Sequence, residues 1–133
     1  MRWQDQIPNI DNVRWALLWV HNVEAEFHRD AANLRDEVRA HAELRAAYQA
    51  AYDYVLAYDP TLREWASATD TPFCTREQLR EYLQAFYDYV FGDRPEPIYP
   101  PPNDEPCPHE KNKRGQCVLA VAEREAQERN DDD

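Results

Sequence analysis

The sequence predicts an all-α protein, a small helical bundle, on three observations. Only two of its 133 residues are glycine. Residues 11–58 contain neither proline nor glycine and are rich in alanine, arginine, leucine and glutamate, which favour helix. Apolar side chains recur through that segment at a helical spacing. Because a chain of this length builds one hydrophobic core, we expect one domain.

The N-terminal part is predicted to form a short arm and a long or kinked helix pair. Asn9 or Asp11 can cap the first helix. The arm offers three apolar side chains for docking: Trp3, Ile7 and Ile10. The helical segment, residues 12–58, is either one rod of about 70 Å or two helices. We favour a break or a kink near residues 30–33, where Asp30 can cap a second helix, because so long a helix is unusual in a small domain.

The buried face of that segment is predicted from a stripe that repeats every seven residues. Its members are Val13, Val20, Phe27, Leu34, His41, Tyr48 and Val55. Such a stripe lies on one side of a helix and marks the side that packs on its neighbours. His41 departs from its apolar character, and we interpret it as a partly buried histidine or a small break in the stripe rather than a pH-dependent switch.

Capping and stop signals predict the next two helices. Asp59 followed by Pro60 indicates a restart, with Asp59 as the cap. Thr75 and Gln78 have the spacing of a capping box, in which the glutamine reaches back to the start of the helix. The helix that begins there is expected to end at Gly92.

An extended proline-rich segment is predicted to tether a C-terminal helix to the bundle. Residues 94–108 hold most of the ten prolines, which exclude helix. The last helix is expected over residues 116–128. Within one domain, the chain therefore divides into a helical bundle (1–93), a proline-rich tether with a Cys/His loop (94–117) and a C-terminal helix with an acidic tail (118–133).

Two segments of the predicted bundle resemble each other. Residues 44–60 and 79–95 align at an offset of 35, with nine identical positions out of seventeen. Two copies are too few for a repeat array. We interpret the match as two similar helix halves that pack with pseudo-symmetry.

Composition disfavours several classes of function. The formal net charge is −11 and no basic face emerges, which disfavours direct binding to nucleic acid. No apolar run reaches the length of a membrane span, so no membrane contact is expected. Three cysteines and an N-terminus without an apolar core favour a reduced, cytoplasmic setting, which is the host cytoplasm if the gene is viral.

A group of soft-metal ligands is the main candidate site. Cys107, His109 and Cys117 form the pattern Cys-x-His-(seven residues)-Cys. Cysteine thiolates and neutral histidine are the ligands that zinc prefers. Gly115 allows the intervening loop to turn, so that Cys117 can meet the other two ligands.

This pattern resembles short zinc elements of the form Cys-x-His-loop-Cys-x-x-Cys. Ala120 stands where such elements have their last cysteine, so a fourth ligand must come from elsewhere. Cys74 is our first choice. The acidic alternatives are Asp104, Glu105 and Glu110. We expect a structural Zn2+, because four protein ligands leave no position open for catalysis; the alternative is that these are ordinary reduced cysteines.

A second ligand-like group is His21, Glu24 and His28, at i, i+3 and i+7 on one helix face. These residues could hold a metal or form an acid–base pair. Their spacing matches no established metalloenzyme motif. We therefore interpret them as a polar border beside the apolar stripe.

Aromatic side chains are the candidate contacts for a partner, because tyrosine and tryptophan are enriched at interface hot spots. Trp15 and Trp19 are one helical turn apart and form a ridge beside the apolar stripe. The candidate partner-binding residues are Trp15, Trp19, Tyr52, Tyr54, Tyr87 and Tyr89. The alternative is that these rings fill the core.

Together these observations favour a non-enzymatic, acidic protein-binding protein: an adaptor, assembly or regulatory factor. Thirteen arginines against two lysines indicate a phage or a high-GC bacterium as the source. The partner is expected to be another protein, and a homodimer is an open alternative. A second function is an acidic mimic of nucleic acid that inhibits a host or defence enzyme. A third is a metal enzyme that uses the Cys/His loop or the His21 face.

Overall fold

The computed structural model describes residues 3–15, 20–22, 26–100 and 110–131. After a 3-10 helix at Trp3–Gln6, six α-helices follow in these ranges: α1 (Ile10–Trp15), α2 (Phe27–Ala40), α3 (Ala42–Tyr58), α4 (Leu62–Thr69), α5 (Arg76–Phe91) and α6 (Val118–Asp131). No strand occurs there, so the all-α prediction is confirmed for the described part of the chain. None of these helices is both long and apolar enough to cross a bilayer.

The N-terminal arm docks as predicted. Trp3 and Ile7 are buried, and Ile10 packs against the core. The Trp3 ring stacks on Tyr58 with 5.2 Å between ring centroids, and its Nε1–H donates to the Glu64 carbonyl oxygen. The arm therefore ties the end of α3 to the start of α4.

The predicted stripe is buried, but the predicted break is in the wrong place. Every member of the stripe is buried except His41, which is exposed. Residues 30–33 lie inside α2, which begins at Phe27, so Asp30 stands in the first helical turn rather than at the cap. Among the described residues, the segment is not helical at His21, Asn22 and Glu26, before α2, and again at His41, whose extended backbone (φ −131°, ψ 103°) separates α2 from α3. The break at His41 coincides with the interruption of the stripe.

Asp59 ends a helix rather than starting one, which corrects the predicted restart. It is the C-cap of α3, in a left-handed conformation with φ 59°. The cap of α4 is Thr61, whose side chain accepts from the Glu64 N–H while Glu64 accepts from the Thr61 N–H. Pro60 precedes this capping box, so it separates the end of one helix from the start of the next.

The predicted ends of α5 are confirmed at Thr75 and Gly92. Thr75 Oγ1 accepts from the Gln78 N–H at 3.0 Å. Gln78 reaches back one residue further than expected, and its Oε1 accepts from the Cys74 N–H at 2.8 Å. A Cβ at Gly92 would lie 2.8 Å from the Asp88 carbonyl oxygen, which favours glycine at this stop.

The core lies between α2, α3 and α5, which pack on one another pairwise. Helices α3 and α5 contain the two similar segments and run antiparallel. Arg45 near the start of α3 donates to the Phe91 carbonyl at the end of α5, at 2.9 Å. Arg80 in the first half of α5 binds Asp59 at the end of α3, with Nε and Nη2 contacts of 2.9 and 2.6 Å. These reciprocal contacts are what a pseudo-twofold pair of helices produces.

Candidate functional site

His21 is the most deeply buried ionisable base of the described chain, with an exposed fraction of 0%. Its Nδ1 lies 2.6 Å from the Tyr82 hydroxyl, and its Nε2 lies 2.8 Å from the Tyr52 hydroxyl. Thr71 Oγ1 donates to the His21 carbonyl oxygen at 2.6 Å. The His21 ring is therefore held by α3 and α5, and its backbone is held by the loop after α4.

Five aromatic rings surround the imidazole of this histidine. Their centroids lie between 4.4 and 6.4 Å from that of the imidazole, and they belong to Phe27, Tyr52, Trp65, Tyr82 and Phe86. Burial lowers the pKa of His21 from 6.5 to about 3. Because a neutral imidazole has one donor and one acceptor nitrogen, it suits two hydroxyl partners. The arrangement orders the core and gives a substrate no access to the ring.

The predicted face of His21, Glu24 and His28 is not assembled. Glu24 lies outside the described residues. His28 is exposed, and its Nδ1 lies 2.6 Å from the Tyr99 hydroxyl, whereas the His21 ring is fully buried. Tyr99 also packs edge-on against Phe27 at 5.5 Å. His28 thus helps to hold the proline-rich segment against α2.

The metal prediction falls partly outside the described residues, because Cys107 and His109 lie there. Cys74 is half-buried, Cys117 is buried, and neither forms a disulfide bond. Cys117 immediately precedes α6, and its Sγ accepts from the Ala120 N–H at 3.4 Å. Within the described ranges, no three potential ligands form a metal-binding group. That leaves the four-residue set a prediction.

The loop before Cys117 is tightly turned. Gly115 has φ +76°, a conformation that favours glycine. Asn112 Oδ1 accepts from the N–H groups of Arg114 and Gln116 at 2.9 and 3.0 Å. An antiparallel bridge then pairs Lys111 with Cys117. The chain that follows His109 therefore returns alongside Cys117.

The two described cysteines lie on elements that meet. Glu123 of α6 accepts from the N–H groups of Arg76 and Glu77, at 2.9 and 3.3 Å. Thr75, next to Cys74, and Leu119, close after Cys117, line one surface cavity of about 190 Å³. Helix α6 thus begins beside the start of α5.

The predicted partner-binding aromatics divide into three groups. Trp19 and the side chain of Trp15 lie outside the described residues. Tyr52 and Tyr89 are buried in the core, with 1% and 7% of their surface exposed. Tyr54 and Tyr87 are half-buried, at the edge of the core. The buried pair is covered by this chain itself and is not presented to a partner.

Sequence reasoning missed the outer face of α5. This face, which we call the α5 face, consists of Glu77, Glu81, Gln84 and Asp88, flanked by Leu119 at one end and Ile98 at the other. Leu119 is 51% exposed and Ile98 is 38% exposed. The helical spacing of the four polar residues was visible in the sequence. The position of the two apolar residues beside them was not, because both come from distant segments.

Compared with known proteins, the chain matches no family model, no curated protein and no solved structure.

Proposed function

We propose that this protein is a non-enzymatic protein-binding protein, an adaptor, assembly or regulatory factor, and that the α5 face is its binding surface. One observation supports this most: Leu119 and Ile98 remain exposed at the two ends of a polar helix face. Apolar side chains grouped beside surface cavities are typical of docking sites. Val118, next to Leu119 in the chain, is also 37% exposed.

Site-specific photo-crosslinking tests this proposal. A photo-reactive amino acid replaces Leu119, Ile98 or, as a control, the exposed Asp36 of α2. In cells that naturally make the protein, one and the same partner should crosslink from positions 119 and 98 but not from 36. Equal crosslinking from all three positions, or none from 119 and 98, would contradict a binding surface at this face.

A nucleic-acid mimic is the second candidate, favoured by the carboxylates of Glu77, Glu81 and Asp88 along one helix side. From Glu77 to Asp88 they span about 16 Å. Mimicry predicts that the partner is a nucleic-acid-binding protein and that its affinity falls steeply with salt. An adaptor surface predicts that part of the affinity persists in high salt, because the apolar contacts of Leu119 and Ile98 are not screened. A salt titration with the crosslinked partner separates the two.

We further propose that Cys74, Cys107, His109 and Cys117 hold a structural Zn2+ that pins the tether and α6 to the bundle. The meeting of α5 and α6 beside Cys74 supports this, as does the turned loop that leads to Cys117. Four such ligands complete a tetrahedral site. The metal would then fix the C-terminal end of the proline-rich tether.

Native mass spectrometry of reduced, chelator-free protein tests the zinc site. One zinc per chain is expected, with loss in Cys107→Ser and in Cys74→Ser. His41→Ala is the matched control, because His41 is an exposed histidine between α2 and α3 that does not belong to the ligand set. A metal-free chain would overturn the site. If the Cys74→Ser variant still binds zinc, the fourth ligand is an acidic residue and not Cys74. The same spectrum shows whether the chain is a monomer or a homodimer.

A further inference from the structure

We propose that the α5 face binds a basic amphipathic helix of a partner protein. The apolar side chains of that helix would contact Leu119 and Ile98, and its lysines or arginines would contact Glu77, Glu81 and Asp88. This inference rests on the proposed function and names the chemistry of the partner.

The surface consists of two neighbouring cavities along α5, which together we call the groove. One cavity, of about 190 Å³, is lined by Thr75, Glu77, Gln78, Glu81 and Leu119. The other, of about 280 Å³, is lined by Glu81, Gln84, Ala85, Asp88, Arg94 and Ile98. Glu81 belongs to both cavities, so the carboxylate lies between the two apolar ends.

The charges of the groove are available to a partner. Within the described residues, Glu81 forms no ion pair and Glu77 forms none as close as 4.0 Å. Of the neighbouring cations of α5, Arg76 and Arg80 both bind Asp59, and Arg80 also interacts electrostatically with Glu77. Arg94 lines the Ile98 end, where its Nε–H donates to the Glu96 carbonyl oxygen at 2.6 Å. Arg94 thus shares its cavity with Glu81 and Asp88, and the Asp88 carboxylate also accepts from the Gln84 side chain at 3.1 Å.

The spacing fits a helix laid along α5. Gln78 lines one cavity and Ala85 lines the other, seven residues later, which corresponds to about 10 Å. Two leucines at i and i+7 of a partner helix are separated by the same distance on one face. Basic residues at i+3 and i+4 of that helix would then stand opposite Glu81. Charge complementarity of this kind sets both register and association rate.

A defined peptide provides the first test. It is a helical peptide with two leucines at i and i+7, with lysines between them and alanines on its other faces. Its control has the same composition, but its leucines lie on opposite faces. Titration of the ¹⁵N-labelled full chain at about 150 mM salt follows binding residue by residue. The first peptide should shift the amides of α5, Ile98 and Leu119, and should bind about tenfold more tightly than the control.

Two charge-reversal variants supply the matched comparison. Glu81→Lys should weaken binding of the first peptide about fivefold to tenfold, because it replaces an attraction by a repulsion. Asp36→Lys makes the same change in net charge on the exposed side of α2 and should alter binding less than about twofold. Leu119→Ser is a third variant, and it should weaken the first peptide but not the control peptide.

Three results would overturn the inference. They are equal weakening by Glu81→Lys and Asp36→Lys, equal binding of the two peptides, and shifts that map away from α5. Photo-crosslinking tests the proposed function independently of the peptide experiment. If a partner crosslinks from positions 98 and 119 through an acidic or non-helical segment, protein binding stands and this inference fails. If nothing crosslinks from these positions, both fail.

Discussion

Helices α3 and α5 contain the same Tyr-x-Tyr motif, yet they bury opposite tyrosines. In α3, Tyr52 is 1% exposed and Tyr54 is half-buried. In α5, the equivalent of Tyr52 is Tyr87, which is half-buried, and the equivalent of Tyr54 is Tyr89, which is 7% exposed. Identical residues in similar helices therefore acquire different environments.

The difference arises because the two helices bury the same set of equivalent positions, which we call the shared stripe, but extend their buried faces from it in different directions. Both helices bury the equivalent pairs Tyr48 and Leu83, Ala51 and Phe86, and Val55 and Val90. From that stripe, α3 extends its buried side toward Tyr52, which meets His21. Helix α5 extends its own toward Tyr82, which meets His21 from the other side, and toward Tyr89, under the guanidinium of Arg35 at 4.7 Å. The neighbours of each helix decide which tyrosine is buried.

The largest expected effect comes from making α5 resemble α3 at the shared stripe. Phe86→Ala installs the residue that α3 has at the equivalent position, Ala51. The Phe86 ring contacts His21, Phe27 and Tyr52, so its loss should lower the free energy of unfolding by about 3–5 kcal/mol in urea denaturation. Leu119→Ala is the control, within about 0.5 kcal/mol. A small decrease in the free energy of unfolding of Phe86→Ala would mean that the core closes around the cavity left by the ring.

Acid should destabilise the fold at His21, which Tyr52 of α3 and Tyr82 of α5 both contact. The pKa of His21 is lowered to about 3 in the folded chain, against 6.5 when exposed. The unfolded chain therefore binds the proton first. Stability is complete above pH 6.5 and falls as the pH drops from 6.5 toward 3, by up to about 1.4 kcal/mol per pH unit.

His21→Gln is the comparison for that pH dependence, because glutamine keeps a donor and an acceptor but does not titrate. Urea denaturation of both proteins at several pH values between 6.5 and 4.5 gives the slopes. We expect a flatter slope for the variant. Equal slopes would show that protonation of His21 does not contribute to acid unfolding.

The two equivalent tyrosines provide the sharpest test of the comparison. Tyr52→Phe leaves a buried ring nitrogen of His21 without a partner and should cost about 1–3 kcal/mol. Tyr87→Phe removes the acceptor of the Gln49 side chain and a hydrogen bond to Asp53, but in a half-buried position where water can replace both, and should cost less than about 1 kcal/mol. Thermal or urea unfolding measures both. A similar decrease in stability for both variants would contradict the different roles that we assign to Tyr52 and Tyr87.

The reciprocal arginines should have the smallest effects. Arg80 holds the pKa of Asp59 below its usual value by hydrogen bonding to the carboxylate, with Arg76 adding to it. The pair is partly exposed, so Arg80→Ala should cost only about 0.2–1 kcal/mol. Arg45→Ala, which removes a single hydrogen bond to the Phe91 carbonyl, should cost a similar amount.

Asp59→Asn separates charge from backbone conformation at that site, because asparagine also tolerates a positive φ. The stabilisation by Asp59 is present above the pKa of the unfolded carboxyl group and is lost as the pH falls through the folded value. The difference between Asp59→Asn and the natural chain should therefore vanish in acid. A difference that persists at low pH would point to backbone strain instead.

Local signals predicted much of the fold. The Thr75 cap, the stop at Gly92 and the buried seven-residue stripe are confirmed, because capping and periodicity depend on neighbours within a few residues. The break at His41 was not located, since no proline or glycine marks it. Asp59 was assigned to the wrong helix, because an aspartate before proline can either end one helix or begin the next.

The candidate sites were less predictable. The helix-face spacing of His21 and His28 indicated one polar border, whereas the structure buries one ring and exposes the other. Exposure of Leu119 and Ile98 depends on where α6 and the proline-rich segment run relative to α5. Such placement is a long-range property, and it leaves no periodic signal in the sequence.

By itself, the sequence determined that the chain is helical, where α5 begins and ends, and which stripe of its first half faces inward. Tertiary structure alone decided which of two equivalent tyrosines is buried, that His21 stands neutral between Tyr52 and Tyr82, and that α6 starts beside Cys74. The reason is physical. Helix formation and capping are settled by contacts within one or two turns, whereas burial and hydrogen-bond partners are settled by whichever distant segment packs against them.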